Sequence, residues 1–292
     1  MKIRQIQFLA PAPVVWAQHL GSFAREGLQV EFTQTLSSDQ LGQGLADGAW
    51  DVGIGVMDNL IAWNAERKAG LAMVAQLERS TVMSFCAKAE LKTLADVAAR
   101  PIAVDATTNG FVLVLYRALA RAGIDWRSCT YDAVGGVKHR LDALLEGRAL
   151  STILIPPFDA MAQAKGFEVL WRGADIAPAY PGQVIGARTE WIARNGDALR
   201  AYLRALVSAN RWATQPANRA AAEQALIDAK YAPPAAARMV SQAVPDLRVS
   251  LEGWNEVAAL RRECGLMPQP EPTAATIIDE RPLLAAIASL KE

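Results

Sequence analysis

Histidine is nearly absent from this chain: His19 and His139 are the two among 292 residues, and cysteine stops at three, Cys86, Cys129 and Cys264. Neither histidine stands at metal-ligand spacing from a cysteine, so a metal site is not expected. Three widely separated cysteines do not make a disulfide framework and fit reduced thiols. Cys86 lies inside an apolar strand pattern, where a thiol is inert rather than nucleophilic. A GxSxG elbow, a Walker loop and a dinucleotide-binding glycine fingerprint are missing as well; Gly53 and Gly55 begin such a pattern, and Val56, Met57 and Asp58 break it. These absences argue for no cofactor and no catalytic constellation. Net charge is missing too, since thirty basic residues balance thirty acidic ones, which excludes the electrostatic footprint of a nucleic-acid or anionic-membrane binder. No apolar run reaches the roughly 20 residues of a membrane span, because Arg117, Arg121 or the Pro156-Pro157 pair interrupts the longest ones. Residues 1–8 alternate as a strand and lack the apolar core and cleavage site of a secretory leader. The chain as written therefore reads as cytoplasmic, or as periplasmic if a leader was removed.

What is present is strand and helix patterning in alternation. With 292 residues the chain is long enough for two lobes with substantial cores. Residues 45–59, LADGAWDVGIGVMDN, are the most informative stretch. Gly48 suits the left-handed position that stops a helix. A strand follows at 51–55, where Val52 and Ile54 alternate with glycines that leave room for another backbone or a ligand. Met57, Asp58 and Asn59 then precede the apolar face of Leu60, Ile61 and Trp63. Asp58 or Asn59 is expected to cap a helix at the carboxyl end of that strand, where open α/β sheets bind ligands. Further strands are predicted at 3–9, 28–32, 71–75, 102–105, 152–155 and 167–170, and helices at 14–26, 94–97, 111–122 and 137–146. Helix 111–122 has only Arg117 and Arg121 as charges, an i to i+4 pair that predicts one narrow polar stripe facing water. Residues 82–87 and 183–187 read as strands crossing between two α/β sections, and from residue 197 the pattern is helical almost to the end.

Four strings carry a family resemblance: AQHLGSFAREGLQVEF (17–32), LADGAWDVGIG (45–55), LKTLADVAARPIAV (91–104) and GLMPQPEPTAATIIDERPL (265–283). In order and spacing they resemble solute-binding proteins of the nitrate/sulfonate/taurine type, a group that includes the thiamine-pyrimidine synthase-like proteins. The resemblance implies the two-lobed α/β fold of type II periplasmic binding proteins, with lobe I from residues 1–84 and 184–292, lobe II from 85–183, and two crossover strands between them. It further implies closure on a small organic ligand, a sulfonate, aromatic acid or pyrimidine-like molecule, and an ABC permease as the partner in transport.

Under that resemblance, chemistry comes from loops at strand ends facing the cleft. In lobe I these hold Pro11, then Ser37, Ser38 and Asp39, then Met57, Asp58 and Asn59. In lobe II they hold Thr107, Thr108 and Asn109, then Gly136, then Pro157 and Asp159. Hydroxyls of Ser37 and Ser38 beside free backbone N–H groups favour an anionic group, and Thr107, Thr108 and Asn109 can act likewise from the other side; ordinary helix capping is the alternative for each. Asp39, Asp58 and Asp159 oppose an anion and favour an amine or a hydroxyl-bearing ligand, with Arg79 and Arg188 as candidate counter-charges. Trp16, Trp50, Trp63 and Phe158 can stack on a flat ligand or fill the core. Both histidines are placed on surfaces away from the cleft.

Three function classes fit, in order. The first is the binding component of a transporter. The second is a cytoplasmic enzyme on the same scaffold, a cofactor-independent lyase or decarboxylase using Asp58 with Arg79 or Lys138. Related folds serve a dihydroxyphthalate decarboxylase, an aryl-sulfinate desulfinase and the pyrimidine synthases, but Pro11-Ala12-Pro13 stands where the desulfinase has a cysteine and the cysteine-rich motif of the synthases is missing. The third is a LysR-type effector domain, for which no DNA-reading module precedes Ile3.

Overall fold

The computed structural model describes residues 1–290. Short apolar runs bounded by turn residues become ten strands among them: β1 (Lys2–Gln7), β2 (Gln29–Gln34), β3 (Val52–Val56), β4 (Leu71–Gln76), β5 (Ser84–Lys88), β6 (Ile102–Val104), β7 (Tyr131–Ala133), β8 (Ser151–Leu154), β9 (Phe167–Arg172) and β10 (Gln183–Arg188). They form two five-stranded sheets, ordered β2-β1-β3-β10-β4 and β7-β6-β8-β5-β9. In the first, β1 runs parallel to β2 and β3, and β10 is antiparallel to both β3 and β4. The second repeats the plan, with β6 parallel to β7 and β8, and β5 antiparallel to β8 and β9.

The reversed strand in each sheet is the one that has just arrived from the other lobe. A chain leaving the carboxyl end of β4 enters lobe II from the cleft side, so β5 runs away from the cleft while β6 and β8 run towards it; β10 does the same on the return. The outgoing connection, residues 77–83, is fastened to the return path by Leu77 N to Gln183 O (2.8 Å), Thr81 Oγ1 to Pro181 O (2.7 Å) and Gly173 N to Met83 O (2.8 Å). Residues 82–87, expected to cross, mostly form the lobe II strand β5, and the crossing lies just before it.

Helix Gly196–Thr214 buries Leu199, Leu203 and Leu206 completely at helical spacing, packing on helices Ala12–His19 and Arg281–Ser289. Where one helix was expected over 14–26 there are two, Ala12–His19 and Ser22–Arg25, because Gly21 takes φ +66°, which a right-handed helix does not contain. Arg117 differs more consequentially. It does not face water: it is 8% exposed, with Nε 2.7 Å from Glu263 Oε2 and a second ion pair to Glu256. Both glutamates lie on helix Leu251–Glu263, which packs against Val112–Arg121 and Met57–Arg67. One apolar cluster accordingly runs from Met57 and Trp63 through Trp254 and Val257 to Leu113 and Val114. No helix among the described residues is long and apolar enough to cross a membrane.

The two strand glycines of β3 have different reasons. A Cβ on Gly53 would sit 2.6 Å from Leu45 Cδ1, so this position is small to let helix Ser38–Ala46 pack on the sheet, and not to admit a ligand. A Cβ on Gly55 would meet only Trp63, at 3.7 Å. Gly53→Ala is therefore expected to destabilise the protein by about 1–3 kcal/mol through overpacking, and Gly55→Ala by clearly less, as urea unfolding of the two variants will measure.

Candidate ligand-binding cleft

The carboxyl ends of β1, β3 and β6 meet around a partly open space between the sheets, a cavity of about 90 Å³. Lobe I contributes Phe8, Gly55, Val56 and Asn59; lobe II contributes Asp105, Gly110, Phe111, Gly136, Val137 and Arg140; the crossover segments contribute Glu78, Thr81 and Gln183. A second cavity of about 70 Å³ shares Glu78, Thr81 and Gln183 and adds Tyr231, Arg238 and Gln242 from the C-terminal helical segment.

Arg140 dominates the lobe II wall. It lies on helix Val137–Leu145 with 3% of its surface exposed. Nε donates to Ile153 O at 3.2 Å and Nη1 to Gly135 O at 3.4 Å, while Nη2 is buried with no hydrogen-bond partner. Burial pulls the guanidinium down to about 10, partly offset by Asp105, so it remains a cation at neutral pH. A buried cation bonded only to carbonyl oxygens lacks a counter-charge in contact, which an anionic ligand would supply. Opposite it, Asn59 donates from Nδ2 to Ser38 Oγ at 3.1 Å, and its Oδ1 is buried without a partner. Glu78, half-buried between the two cavities, is the carboxyl of the crossover wall. Burial pushes it up to about 7, against the pull of the Gln183 backbone amide and of Arg238.

The lobes touch directly around this space. Gly136 N donates to Leu36 O at 3.2 Å, and Gly110 N donates to Asp58 Oδ2 at 2.5 Å. Asp58 has no exposed surface, and its other oxygen accepts from Arg261 Nη1 at 2.8 Å. Neither Asp58 nor Asn59 caps its helix, whose N-cap is Val56 with no side-chain bond; Asp58 is turned into the seam between the lobes.

The remaining expected residues divide plainly. Asn59 and Gly136 line the main cavity, and Asn109 lines a small adjoining pocket together with Arg140. Ser38 is enclosed and orients Asn59. Ser37 caps helix Ser38–Ala46, accepting from Gln40 N, and Asp39 pairs with Arg67 at the surface. Pro11 and Met57 are buried at their helix starts. Thr107 and Thr108 face outward, Thr108 donating to Glu66 across the seam at 3.3 Å. Pro157 and Phe158 belong to an outer hollow beside Phe8 and Tyr231. Asp159 accepts from Ser84 Oγ and from the Ala160 amide, inside lobe II. Arg188 ends β10 at the edge away from the cleft, Arg79 is exposed, and Lys138 pairs with Asp142. Trp16 and Trp63 are fully enclosed in the cores, and Trp50 packs beside Gly44 and donates to Thr33. Both histidines are exposed.

Sequence reasoning missed Arg140 and Glu78. Arg140 had a readable signal, since it stands three residues after Val137 and four before Leu144, on the apolar stripe of its helix. Glu78 had a weaker one, the first charged residue after the apolar strand β4.

The NMT1-like family matches residues 1–227 of the chain. The chain belongs to the NMT1-like family. Solved structures similar to this NMT1-like chain include the alkanesulfonate-binding protein SsuA from Xanthomonas axonopodis pv. citri bound to MOPS, 18% identical over 95% of this chain and 98% of that one, with a TM-score of 0.75. The periplasmic nitrate-binding protein NrtA from Synechocystis PCC 6803 is 15% identical over 99% of this chain and 89% of that one, with a TM-score of 0.78. A Candida albicans gene product of the generic periplasmic binding protein fold is 11% identical over 99% and 95%, with a TM-score of 0.77. At such identities the likeness is one of fold, the two-lobed architecture of periplasmic binding proteins. No curated protein matches the chain by sequence.

Two outcomes follow from the geometry. Asp58→Ala strands Arg261 as a buried charge and is expected to cost about 3–5 kcal/mol of stability, measured by chemical denaturation. Glu78 has a folded-state value of about 7 against an ordinary 4.5. Its contribution to stability is thus fully present below the ordinary value and is lost as pH rises through about 7. The ligand-free protein should melt at a lower temperature at pH 8 than at pH 5.5, by a margin that shrinks in Glu78→Gln.

Proposed function

We propose that this chain is a solute-binding protein that closes its lobes on a small organic anion and hands it to an ABC permease. The observation that carries the reading is Arg140: a buried cation without a partner for Nη2, in the wall of an interlobe cavity. Asn59 and Gly136, expected from the sequence, contribute from the two sides, and Ser38 acts through Asn59. The sulfonate- and nitrate-binding neighbours support an oxyanion as the recognised group, and aromatic carboxylates remain within the same chemistry. The periplasm is the location that goes with this role, which fractionation of the source cells followed by immunoblotting checks.

Glu78 favours one second reading, because a carboxyl that titrates near neutrality in a cleft is suited to general acid or base work. The two readings part on turnover. The purified protein should bind without converting its ligand; product that accumulates on incubation and disappears in Glu78→Gln would put the lyase or decarboxylase reading first.

A thermal-shift series of sulfonates, aromatic carboxylates, nitrate and pyrimidines tests the primary reading. A ligand at a hundred times its Kd adds about 2.7 kcal/mol of stability, a clear rise in Tm. Anions should give this rise and neutral pyrimidines should not, and Arg140→Gln should lose it, weakening binding by roughly 1.5–3 kcal/mol for a charged hydrogen bond. Neutral ligands binding as tightly in the variant as in the unmodified protein would sink the anion assignment.

A further inference from the structure

Glu78 sits where the outgoing crossover leaves β4, and its backbone is held from several directions. Gln76 Nε2 donates to Glu78 O at 2.8 Å, a bridge joins Glu78 to Ala243, and the preceding Leu77 N is bonded to Gln183 O. Gly182 packs so closely that a Cβ there would lie 2.4 Å from Glu78 Cβ, which fixes the side chain's exit direction. Glu78 therefore lines both cavities from a rigid base.

Its neighbours leave it available. Tyr231 OH donates to Ala10 O at 2.6 Å, Thr81 Oγ1 to Pro181 O at 2.7 Å, and Ser80 Oγ to Gln242 Oε1 at 3.0 Å. Every hydroxyl lining its cavities is thus spent elsewhere. The charged and titratable groups around it are Arg238 and Tyr231 from the C-terminal helical segment and Arg140 and Asp105 from lobe II, with Arg79 exposed next in the chain. The Gln183 backbone amide and, at longer range, Arg238 pull on the carboxyl. A preorganised acceptor with unused capacity in a ligand cavity is a specificity element.

We propose that Glu78 sets the specificity of the cleft by accepting a hydrogen bond from the end of the ligand remote from Arg140, so that the preferred solute carries a single anionic group at one end and an ammonium, amide or hydroxyl donor at the other. This rests on the reading of the cleft as an anion-binding solute site. A ligand with a second anionic group meets the Glu78 carboxylate and is turned away. Because the carboxyl passes from neutral to charged near pH 7, discrimination is strongest above that pH and fades below it.

Three probes of equal length separate the possibilities: 3-aminopropanesulfonate, propanesulfonate and propane-1,3-disulfonate, titrated calorimetrically at pH 5.5 and 8.5. At pH 8.5 the amino probe should bind at least about tenfold more tightly than propanesulfonate, a typical effect of one charged hydrogen bond. The disulfonate should lose about tenfold between pH 5.5 and 8.5. In Glu78→Gln, checked for folding by circular dichroism, both the amino preference and the pH dependence of the disulfonate should collapse. Equal affinities for the three probes in the unmodified protein at both pH values, with binding still abolished by Arg140→Gln, would overturn the role of Glu78 and leave the anion site standing. No binding of any probe at either pH would overturn the sulfonate-binding reading itself. The comparison of probes in the unmodified protein decides the matter even if the Glu78 variant does not fold.

Discussion

A carboxylate with no exposed surface is costly unless every oxygen is answered, and Asp58 is answered from two directions that are remote in sequence. Arg261, from helix Leu251–Glu263 in the C-terminal helical segment, takes one oxygen, and the Gly110 amide, from the second lobe, takes the other. Arg261 is itself oriented by two bonds to Leu266 O, at 3.1 and 2.7 Å. Gly110 has φ +78°, and a Cβ there would lie 3.3 Å from Asn59 Oδ1, so a glycine permits both the turn and the close approach. The cavity walls at Asn59 on one side and Gly110 and Phe111 on the other inherit their spacing from this contact.

The local fold was readable because it depends on local physics. Glycines at 48 and 147 take positive φ after their helices, and β3 and β10 appear within a residue or two of the expected alternation. What could not be read was anything requiring a partner from far along the chain. Arg117 looked like a solvent stripe because Glu256 and Glu263, its partners, lie more than a hundred residues away. Helix Ser22–Arg25 was merged with its predecessor because a single glycine inside an apolar pattern does not declare its φ. The direction of the reversed strands was not read at all, since a buried strand reads the same in either direction.

The same distinction explains the site. Asp39, Asp58 and Asp159 stood at expected cleft loops, and their charges argued against an anion. Each is satisfied elsewhere, by Arg67, by Arg261 with the Gly110 amide, and by Ser84 with the Ala160 amide. With those carboxylates engaged elsewhere, the charged groups in the cavity wall are Arg140, Asp105 and Glu78. Loop position identified which segments approach the cleft, but which side chains enter it was decided by long-range pairing.

Helix Leu251–Glu263 also constrains how the lobes can separate. It holds lobe I through Asp58 and Arg261, a pair only 0% and 4% exposed, and lobe II through Arg117 with Glu256 and Glu263. Opening must break one of these attachments. Glu263 is half exposed, so its charge is already partly solvated and its bond to Arg117 is cheaper to exchange for water than the enclosed Asp58 pair. The Arg117 to Glu263 bond, the Gly110 amide and the Gly136 to Leu36 bond are therefore the contacts between the lobes most readily exchanged for water, whereas the Arg117–Glu256 pair, 8% and 13% exposed, is not. Each backbone bond is worth only about 0.5–1.5 kcal/mol net, because water replaces the lost partner. Under the proposed anion-binding reading, a ligand that touches Asn59 and Arg140 together supplies differential affinity for the closed form, since contacts to both lobes exist only there.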